Sequence, residues 1–523
     1  MAHSHAFDRA LAALPLAYPG PGGAVAVVRN GRVIARHAWG FADIARRLPF
    51  TERTLFRVCS ITKQFTCAAA LAVSPDLSVL DAPVAAAMPL LEGRGPGALH
   101  LAHNQSGLRD YWATAMLSGA PVEGAFDAAA ARRLIGRTAS LQFQPGTRYA
   151  YCNQNFRLLG DALEAQTGHA YADLLHDHVF ERAGMADAKL WADTASMPDG
   201  TEGYEGSVEF GFFPATNRVF WTGDAGVIAS LDDMIAWERS IDTHWNDESS
   251  LYRRLVAPVR FADGNAARYG FGLARFEIAG QAATGHGGAL RGWRSFRCHV
   301  PQSRLSVVVL FNHGQDARAA AIGLAQSILT PDAAPPPTTH PALVAGWRRN
   351  FIEPESGLIV RLVPTAEGRV MLHYGQSAES LLPDQKGGLL GANSAIDPRG
   401  GDVFLNRPAD NCASRLRCLS DDAAGRIDGL AGRYRSDEYD ADFTCTDAGG
   451  TLYGAFSGDL GQGEMQILLP VFNAVWRLPM PRALDCAPPG DWTLEFRRDG
   501  EGRVLAVDIG CWLARRVVFR RVM

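Results

Sequence analysis

Ser60-Ile61-Thr62-Lys63 places a hydroxyl and an amine three residues apart at the predicted start of a helix. At that spacing the two side chains lie on one helix face and can reach a common point. A serine hydroxyl is a poor nucleophile without a base, and an ordinary lysine is protonated at neutral pH. Burial or neighbouring cations must therefore lower the pKa of the amine before it can accept a proton. The pair indicates acyl transfer, with Ser60 as nucleophile and Lys63 as base.

The scarcity of lysine in the chain strengthens this interpretation. Lysine and arginine together number 51, yet Lys63, Lys189 and Lys386 are the only lysines. Arginine supplies almost every other cation, and its guanidinium does not give up a proton in proteins. We therefore interpret Lys63 as a functional lysine, present at this position because its amine can lose a proton.

Tyr151-Cys152-Asn153 follows a predicted turn at residues 143–146 and adds a second polar group. The phenol of Tyr151 is suited to shuttling a proton to a leaving amine. The side-chain amide of Asn153 carries both donors and acceptors that match a peptide amide. This segment predicts a proton-transfer residue and a substrate-binding residue near the nucleophile.

His286-Gly287-Gly288 is the third segment, and it comes shortly before a predicted strand at residues 295–300. Gly288 and its neighbour would let a substrate backbone lie against a strand edge. The imidazole of His286 would supply a hydrogen-bonding group beside the nucleophile. We expect both residues to belong to the site.

The pattern of elements around these motifs predicts an α/β sandwich over residues 1–330. Asn30-Gly31 favours a tight hairpin turn near the N-terminus, and late strands complete the sheet that the hairpin begins. The predicted strands are 23–28, 32–39, 269–276, 295–300 and 305–311, and the predicted helices are 10–18, 60–73, 128–137, 156–165, 231–240 and 317–329.

The composition changes after residue 330. A linker is predicted at 331–342, in a proline-rich segment that favours a stiff, extended chain. Short β-prone runs separated by turn residues follow, and similar segments begin at Ala345 and Ala431, about 86 residues apart. Two β-barrels are predicted, at 343–422 and 423–523.

Charge and cysteine content exclude several classes of function. The chain has 51 basic and 55 acidic residues and a net charge of -4, so no broad basic field predicts nucleic-acid binding. No run of about 18 apolar residues predicts a membrane span. Nine scattered cysteines without CxxC spacing give no sign of a zinc site, and unpaired thiols favour a cytoplasmic location.

The three motifs in this order resemble those of the penicillin-recognising serine hydrolases. The resemblance implies Ser60 as nucleophile, Lys63 and Tyr151 as the proton-transfer pair, and an oxyanion hole made by the backbone N–H groups of Ser60 and of the strand following Gly288. Many members carry Lys-Thr-Gly where this chain carries the triad beginning at His286. That departure argues against a β-lactamase or carboxypeptidase and leaves esterases and aminopeptidases.

Within this family, the D-aminopeptidase group is the most similar. The segments that carry the likeness are HAWGFAD at 37, KQFTCA at 63, NQSGLRDYW at 104, FPATNR at 213, GDAG at 223, SLYRRL at 250, GHGGALRGWR at 285 and GCWLAR at 510. The likeness implies a β-lactamase-like domain with two eight-stranded barrels, usually as a homodimer. It also implies release of an N-terminal D-residue, such as D-Ala, from peptides, amides and esters through an acyl-enzyme, without a metal or other cofactor.

An aminopeptidase must recognise an ammonium group, and Asp485 is the candidate. It lies in a proline-rich loop at 479–491 between two strand-like runs. The resemblance implies that this loop reaches the active site and that Asp485 binds the amine of the substrate. Two alternatives remain: an esterase or D-amino-acid amidase of the same fold, and a non-catalytic peptidoglycan-binding protein, although the intact Ser60 and Lys63 weigh against the second.

Overall fold

The computed structural model describes residues 5–331, 344–376, 378–419, 427–472, 474–480, 482–484 and 490–522. Of the predicted linker at 331–342, only residue 331 is described. Asp485 also lies outside the described residues.

The α-helices of the described residues all lie before residue 330. They are α1 (His5–Ala17), α2 (Thr62–Val73), α3 (Asp81–Ala86), α4 (Ala98–Ala102), α5 (Tyr111–Leu117), α6 (Ala128–Gly136), α7 (Gln154–Thr167), α8 (Tyr171–Leu175), α9 (Glu181–Ala183), α10 (Leu231–Thr243), α11 (Leu251–Leu255) and α12 (Ala317–Leu329). The six predicted helices therefore exist, with ends that differ by a few residues.

Fifteen strands belong to the same part of the chain. They are β1 (Gly22–Arg29), β2 (Arg32–Asp43), β3 (Leu48–Pro49), β4 (Phe56–Arg57), β5 (Lys189–Leu190), β6 (Tyr204–Ser207), β7 (Gly211–Pro214), β8 (Val227–Ala229), β9 (Val259–Arg260), β10 (Ala266–Ala267), β11 (Tyr269–Gly270), β12 (Leu273–Ile278), β13 (Gln281–Leu290), β14 (Trp293–Val300) and β15 (Leu305–Phe311).

An eight-stranded antiparallel sheet organises this part of the chain, in the order β11-β12-β13-β14-β15-β1-β2-β3. The predicted hairpin joins β1 to β2, with Asn30 at φ 52° and Gly31 at φ 70°, as a two-residue turn with two positive φ angles requires. β1 then pairs with the late strand β15, from Gly23 opposite Phe311 to Arg29 opposite Leu305. The predicted closure of the sheet by distant strands is confirmed.

Helices cover both faces of this sheet. Val25 and Val27 of β1 point into a core with α1 and α12, whereas Ala24 and Ala26 join the larger core that contains α2. Successive side chains of a strand point to opposite faces of the sheet. The side chains of β1 therefore contribute to both hydrophobic cores. The sandwich predicted from the sequence is confirmed, and α2, which follows Ser60, is buried inside it.

The C-terminal part of the chain is antiparallel β-structure. A closed barrel contains β16 (Arg349–Glu353), β17 (Leu358–Pro364), β18 (Val370–His373), β19 (Ala378–Pro383), β20 (Leu389–Leu390), β21 (Ala395–Arg399), β22 (Asp402–Arg407) and β23 (Cys412–Leu419). A ten-stranded sheet follows, with β24 (Gly432–Ser436), β25 (Ala441–Ala448), β26 (Thr451–Gly458), β27 (Gly461–Gln462), β28 (Gln466–Ile467), β29 (Leu469–Phe472), β30 (Val475–Leu478), β31 (Trp492–Arg498), β32 (Val504–Cys511) and β33 (Ala514–Arg521).

The two similar sequence segments lead into equivalent places in these β-modules. β16 and β24 are the first strands of the barrel and of the ten-stranded sheet, and each pairs with the last strand of its own module. The first module is a closed eight-stranded barrel, and the second forms an open path of strands over its described residues. The domain division at 1–330, 343–422 and 423–523 stays our proposal.

The turn between β32 and β33 touches the first domain. The Asp110 N–H donates to the carbonyl of Leu513 at 2.8 Å, and Arg109 Nε donates to the carbonyl of Arg515 at 2.8 Å. The last module therefore contacts the segment that precedes α5.

Over the described residues no single helix is both long and apolar enough to cross a bilayer. One pair bent by 105°, Cys59–Val73 with Leu77–Ala86, meets the length and composition criteria together. The first member of that pair contains α2, the buried core helix.

Candidate active site

Ser60 lies in a short 3₁₀ turn, Cys59–Ile61, that leads directly into α2. Cys59 adopts a left-handed backbone conformation with φ 53°, which side chains other than glycine seldom adopt. Such a conformation persists where the surrounding structure holds it, and it clusters at functional sites. The turn places Ser60 half-exposed in the wall of a cleft, with Lys63 one helical turn further on.

Lys63 is fully buried, and oxygen atoms of Ser60, Asn153 and Asp224 lie close to its amine. Nζ lies 2.9 Å from Ser60 Oγ, 2.9 Å from Asn153 Oδ1 and 2.7 Å from the backbone carbonyl of Asp224. The amide and backbone carbonyls can only accept hydrogen bonds, whereas a hydroxyl can donate or accept. In this arrangement Nζ donates to all three oxygens. Transfer of the hydroxyl proton from Ser60 to Lys63 requires the amine to have lost one of its own protons.

Asn153 is held from two sides at the start of α7. Its side chain accepts from Lys63, and its backbone N–H donates to the carboxylate of Asp110. The same carboxylate accepts from the N–H of Trp112, and the Asp110 N–H is bonded to Leu513 of the last β-module. Asn153 is thus fixed by a chain of hydrogen bonds that ends outside the first domain.

Two buried carboxyl groups lie near this lysine. Burial raises the pKa of Asp110 to about 6, although the hydrogen bonds from Asn153 and Trp112 and the nearby Lys63 amine oppose that shift. Burial also raises the pKa of Asp224, whose carboxylate accepts from the Tyr111 hydroxyl at 2.5 Å. Buried polar groups of the protein therefore surround the amine of Lys63.

Tyr151 joins the same cluster through its ring. Lys63 Nζ lies 5.0 Å from the centre of the Tyr151 ring, and that centre lies 6.0 Å from the His286 ring. Tyr151 also lines the cleft with Ser60. The sequence prediction that these residues meet agrees with this arrangement, and their individual roles stay predictions.

His286 lies ahead of the strand at 295–300, as the sequence suggested, and within strand β13, which the sequence did not predict. Its Nδ1 faces the carbonyl of Gly287 and must carry the proton, so Nε2 accepts the hydroxyl of Tyr269 at 3.0 Å. Burial, assisted by the charge of Lys63, lowers the pKa of His286 to about 3. The imidazole is therefore neutral at neutral pH and orients the Tyr269 phenol.

Gly288 allows β13 to approach the nucleophile turn closely. A Cβ at this position would lie 2.2 Å from Ser295 Oγ and 2.3 Å from the carbonyl of Val58, so any side chain would push the strand away. β12 pairs with β13 only as far as Gly285, and no described strand pairs with that edge from His286 onward. This free edge can bind an extended substrate backbone by hydrogen bonds.

The cleft that contains these residues has a volume of about 670 Å³. Ser60, Tyr151, Asn153, His286 and Gly288 all line it. The sequence reasoning missed other lining residues, among them Trp112, Tyr149, Tyr269, Gln376 and Trp512. The last two come from the C-terminal β-modules, and the resemblance of GCWLAR at 510 was the one signal that pointed to Trp512.

Asp485 lies outside the described residues, but the chain that follows it, at Gly490, is positioned near the cleft. Gly490 packs so closely on Gly375 that a Cβ would lie 2.8 Å from its carbonyl oxygen, and the next residue, Gln376, lines the cleft. On the other side, Arg291 donates to the carbonyl of Ala483 at 2.5 Å. The flank at Gly490 therefore lies close to the cleft, and the flank at Ala483 is attached to the turn between β13 and β14.

The described residues bring one group of potential metal ligands within 4.8 Å of one another, namely His176, Asp177 and Glu181. All three are exposed, and none of them lines the cleft.

Family models match both parts of the chain. The model described as Beta-lactamase matches residues 7–329, and the model described as D-aminopeptidase, domain B matches residues 341–520. The D-aminopeptidase of Gluconobacter oxydans strain 621H is 51% identical over 521 residues, covering 98% of each chain. The chain belongs to the D-aminopeptidase family. A second D-aminopeptidase of this family, from Brucella melitensis biotype 1, is 44% identical over 510 residues, covering 98% of this chain and 97% of its own.

Solved structures show that the D-aminopeptidase family shares the penicillin-binding-protein fold. The octameric penicillin-binding protein homologue from Pyrococcus abyssi superposes with a TM-score of 0.53 at 20% identity, covering 78% of this chain and 98% of its own. The D-amino acid amidase from Ochrobactrum anthropi SV3 gives 0.51 at 19% identity, covering 62% and 99%. At this identity the likeness extends to the fold alone.

Proposed function

We propose that this protein is a serine-type D-aminopeptidase that releases an N-terminal D-amino acid, such as D-Ala, from peptides, amides and esters. The proposal depends on one observation above the others: the amine of buried Lys63 lies 2.9 Å from Ser60 Oγ, beside an unpaired strand edge. The full-length likeness to curated D-aminopeptidases supports the reaction and the class of substrate.

In the proposed mechanism the neutral Lys63 amine takes the hydroxyl proton as Ser60 Oγ attacks the carbonyl carbon of the scissile amide. The negative charge that develops on the carbonyl oxygen is stabilised by the backbone N–H groups of Ser60 and of Ala289, the residue after Gly288 in β13. Tyr151 relays a proton to the departing amine, and the C–N bond breaks to leave an acyl-enzyme. Water then attacks the ester, and the same groups run the proton transfers in reverse.

A D-amino-acid amidase or esterase of the same fold is the alternative within hydrolases. The two hypotheses differ in how the enzyme recognises the amine of the substrate. In the aminopeptidase, that role is proposed for Asp485. A non-catalytic peptidoglycan-binding protein would have no need for an amine buried within hydrogen-bonding distance of Ser60.

Hydrolysis of three chromogenic substrates tests the function. We expect turnover of D-alanine p-nitroanilide, and kcat/KM lower by about 100-fold or more for L-alanine p-nitroanilide and for acetyl-D-alanine p-nitroanilide. Equal rates with the free and acetylated D-substrates would replace the aminopeptidase with the amidase or esterase. Binding without turnover of any of the three would favour the non-catalytic alternative.

Asp485→Asn is expected to raise KM for D-alanine p-nitroanilide by about 10-fold or more, because it removes the charge that faces the substrate ammonium. KM for the acetylated substrate is expected to change far less. Asp491→Asn provides the matched control, since Asp491 lies in the same loop and pairs with Arg477 at 2.8 Å. Equal effects of Asp485→Asn on both substrates would reduce the loop to a structural element.

We further propose a homodimer, as the resemblance implies, and a reducing, cytoplasmic location. The cysteines within the described residues are all free, which agrees with a reducing compartment.

A further inference from the structure

The cleft continues from Ser60 past the edge of β13 to the start of α12. This continuation is lined by two arginines, Arg294 and Arg318, two aromatic residues, Phe276 and Phe296, and one acid, Asp316. None of these residues takes part in the mechanism proposed above. They form a second region of the same cavity, which we call the α12 region.

The register of the sheet places Arg294 beside β13, on the side away from its free edge. Arg294 of β14 lies directly opposite Ala289, the residue after Gly288, and Phe296 lies opposite Gly287. Positions two apart on a strand share a face, so Arg294 and Phe296 lie on the same side of the sheet, about 7 Å apart along β14. Ser295, on the other face, donates to Val58 in the nucleophile turn.

Arg318 covers the two aromatic residues of the α12 region. Its guanidinium lies 5.7 Å from the centre of the Phe276 ring and 5.9 Å from that of Phe296. Stacking on rings orients the plane of the guanidinium while leaving its N–H edge free to bind a ligand. Arg318 and Arg294 line the same region of the cavity.

The charges of the α12 region do not cancel. No described carboxylate forms an ion pair with Arg294 or Arg318. Arg294 uses Nη1 for the carbonyls of Leu290 and Trp293, at 2.6 and 2.8 Å. Asp316 accepts the N–H of Ala319 at 2.9 Å as the cap of α12. Two cations and one capping anion leave a net positive charge in a cavity that also contains the nucleophile.

We propose that Arg294 and Arg318 bind the C-terminal carboxylate of a short peptide substrate, so that the enzyme prefers peptides with a free acid over the same peptides with an amide. This inference rests on the proposed function. One flank of the Asp485 loop, at Gly490, packs against Gly375 and Gln376, so the substrate amine is assigned to the wall made by the β-modules. The leaving group then extends along the β13 edge toward the α12 region, where arginine can bind a carboxylate with two parallel hydrogen bonds.

The test compares D-alanylglycine and D-alanylglycylglycine with their C-terminal amides, by amino-acid analysis of the released D-alanine. The wild-type protein is expected to show a kcat/KM about 10-fold higher for the free acid at one or both lengths. Arg318→Gln and Arg294→Gln are each expected to reduce that ratio to about 3 or less, and Arg318→Lys to keep part of it. Arg399→Gln, which removes an exposed arginine from the barrel, is the matched control and is expected to leave the ratio unchanged.

The outcomes separate this inference from the proposed function. Failure to hydrolyse D-alanine p-nitroanilide, which has no carboxylate, would remove the proposed function itself. Turnover of that substrate without a preference for the free acids would overturn only the carboxylate site. A preference that survives both glutamine variants, with unchanged melting temperatures, would also overturn it and would place the anion-binding group elsewhere.

Discussion

Ser60→Ala is expected to lower kcat/KM for D-alanine p-nitroanilide by about 10⁴-fold or more. The substitution removes the hydroxyl oxygen that lies 2.9 Å from Lys63 Nζ and lines the cleft beside β13, so no acyl-enzyme can form. Binding of substrate is expected to persist, because the strand edge and the other cleft residues remain. The expected signature is therefore a loss in kcat with little change in the dissociation constant of a slowly hydrolysed substrate.

The fold is expected to survive this change. The hydroxyl forms one hydrogen bond to Lys63 from a half-exposed position, and losing such a bond costs about 1 kcal/mol, or a shift of about 2 to 4 °C in melting temperature. Ser74→Ala, at the other end of α2, is the matched control, since that hydroxyl bonds only the backbone of Asp76. Retained hydrolysis by Ser60→Ala would mean that the nucleophile has been assigned to the wrong residue.

The parts of the site that local sequence determines were predictable. The spacing of Ser60 and Lys63 within one helical turn fixed their proximity once a helix was assigned there, and α2 begins within two residues of the predicted start. Asn30-Gly31 determined the first hairpin in the same way, because few residue pairs tolerate two positive φ angles. These features depend on a few adjacent residues.

The parts that depend on tertiary contacts were not predictable from the motifs. The third oxygen neighbour of the Lys63 amine is a backbone carbonyl 161 residues away, at Asp224, and a carbonyl leaves no signal in the sequence. Tyr269, which binds His286, lies in a two-residue strand that the sequence merged with the next one. Glycine-rich β13 was missed because its glycines are poor strand formers. Gly288 is required there because Val58 approaches it so closely.

The contribution of the last β-module to the site is another tertiary effect. Leu513 reaches the Asp110 backbone, and the carboxylate of Asp110 holds Asn153, so a hairpin near the C-terminus supports a residue that touches the base. Such an arrangement makes the catalytic site depend on the whole chain. It also gives a physical reason why the likeness to D-aminopeptidases extends over both the catalytic and the β-domains.

Lys63→Arg is the second change with a large expected effect, and kcat/KM should fall by about 10³-fold or more. The variant keeps the positive charge that a lysine can carry but removes its ability to accept a proton, since a guanidinium has donors and no acceptor. In the native arrangement the amine can donate to Asn153 and Asp224 and turn its lone pair toward Ser60. Arginine at this position has no lone pair to offer, so the hydroxyl loses its base.

The matched control is Lys189→Arg, which makes the same chemical change at an exposed site in β5 and is expected to leave turnover unchanged. Because Lys63 is fully buried, the larger guanidinium could also disturb packing, so circular dichroism and the melting temperature must accompany the kinetics. A folded Lys63→Arg protein with near-normal turnover would exclude the lysine as base. A folded but inactive variant, beside a fully active Lys189→Arg, would assign proton transfer to the amine next to Ser60.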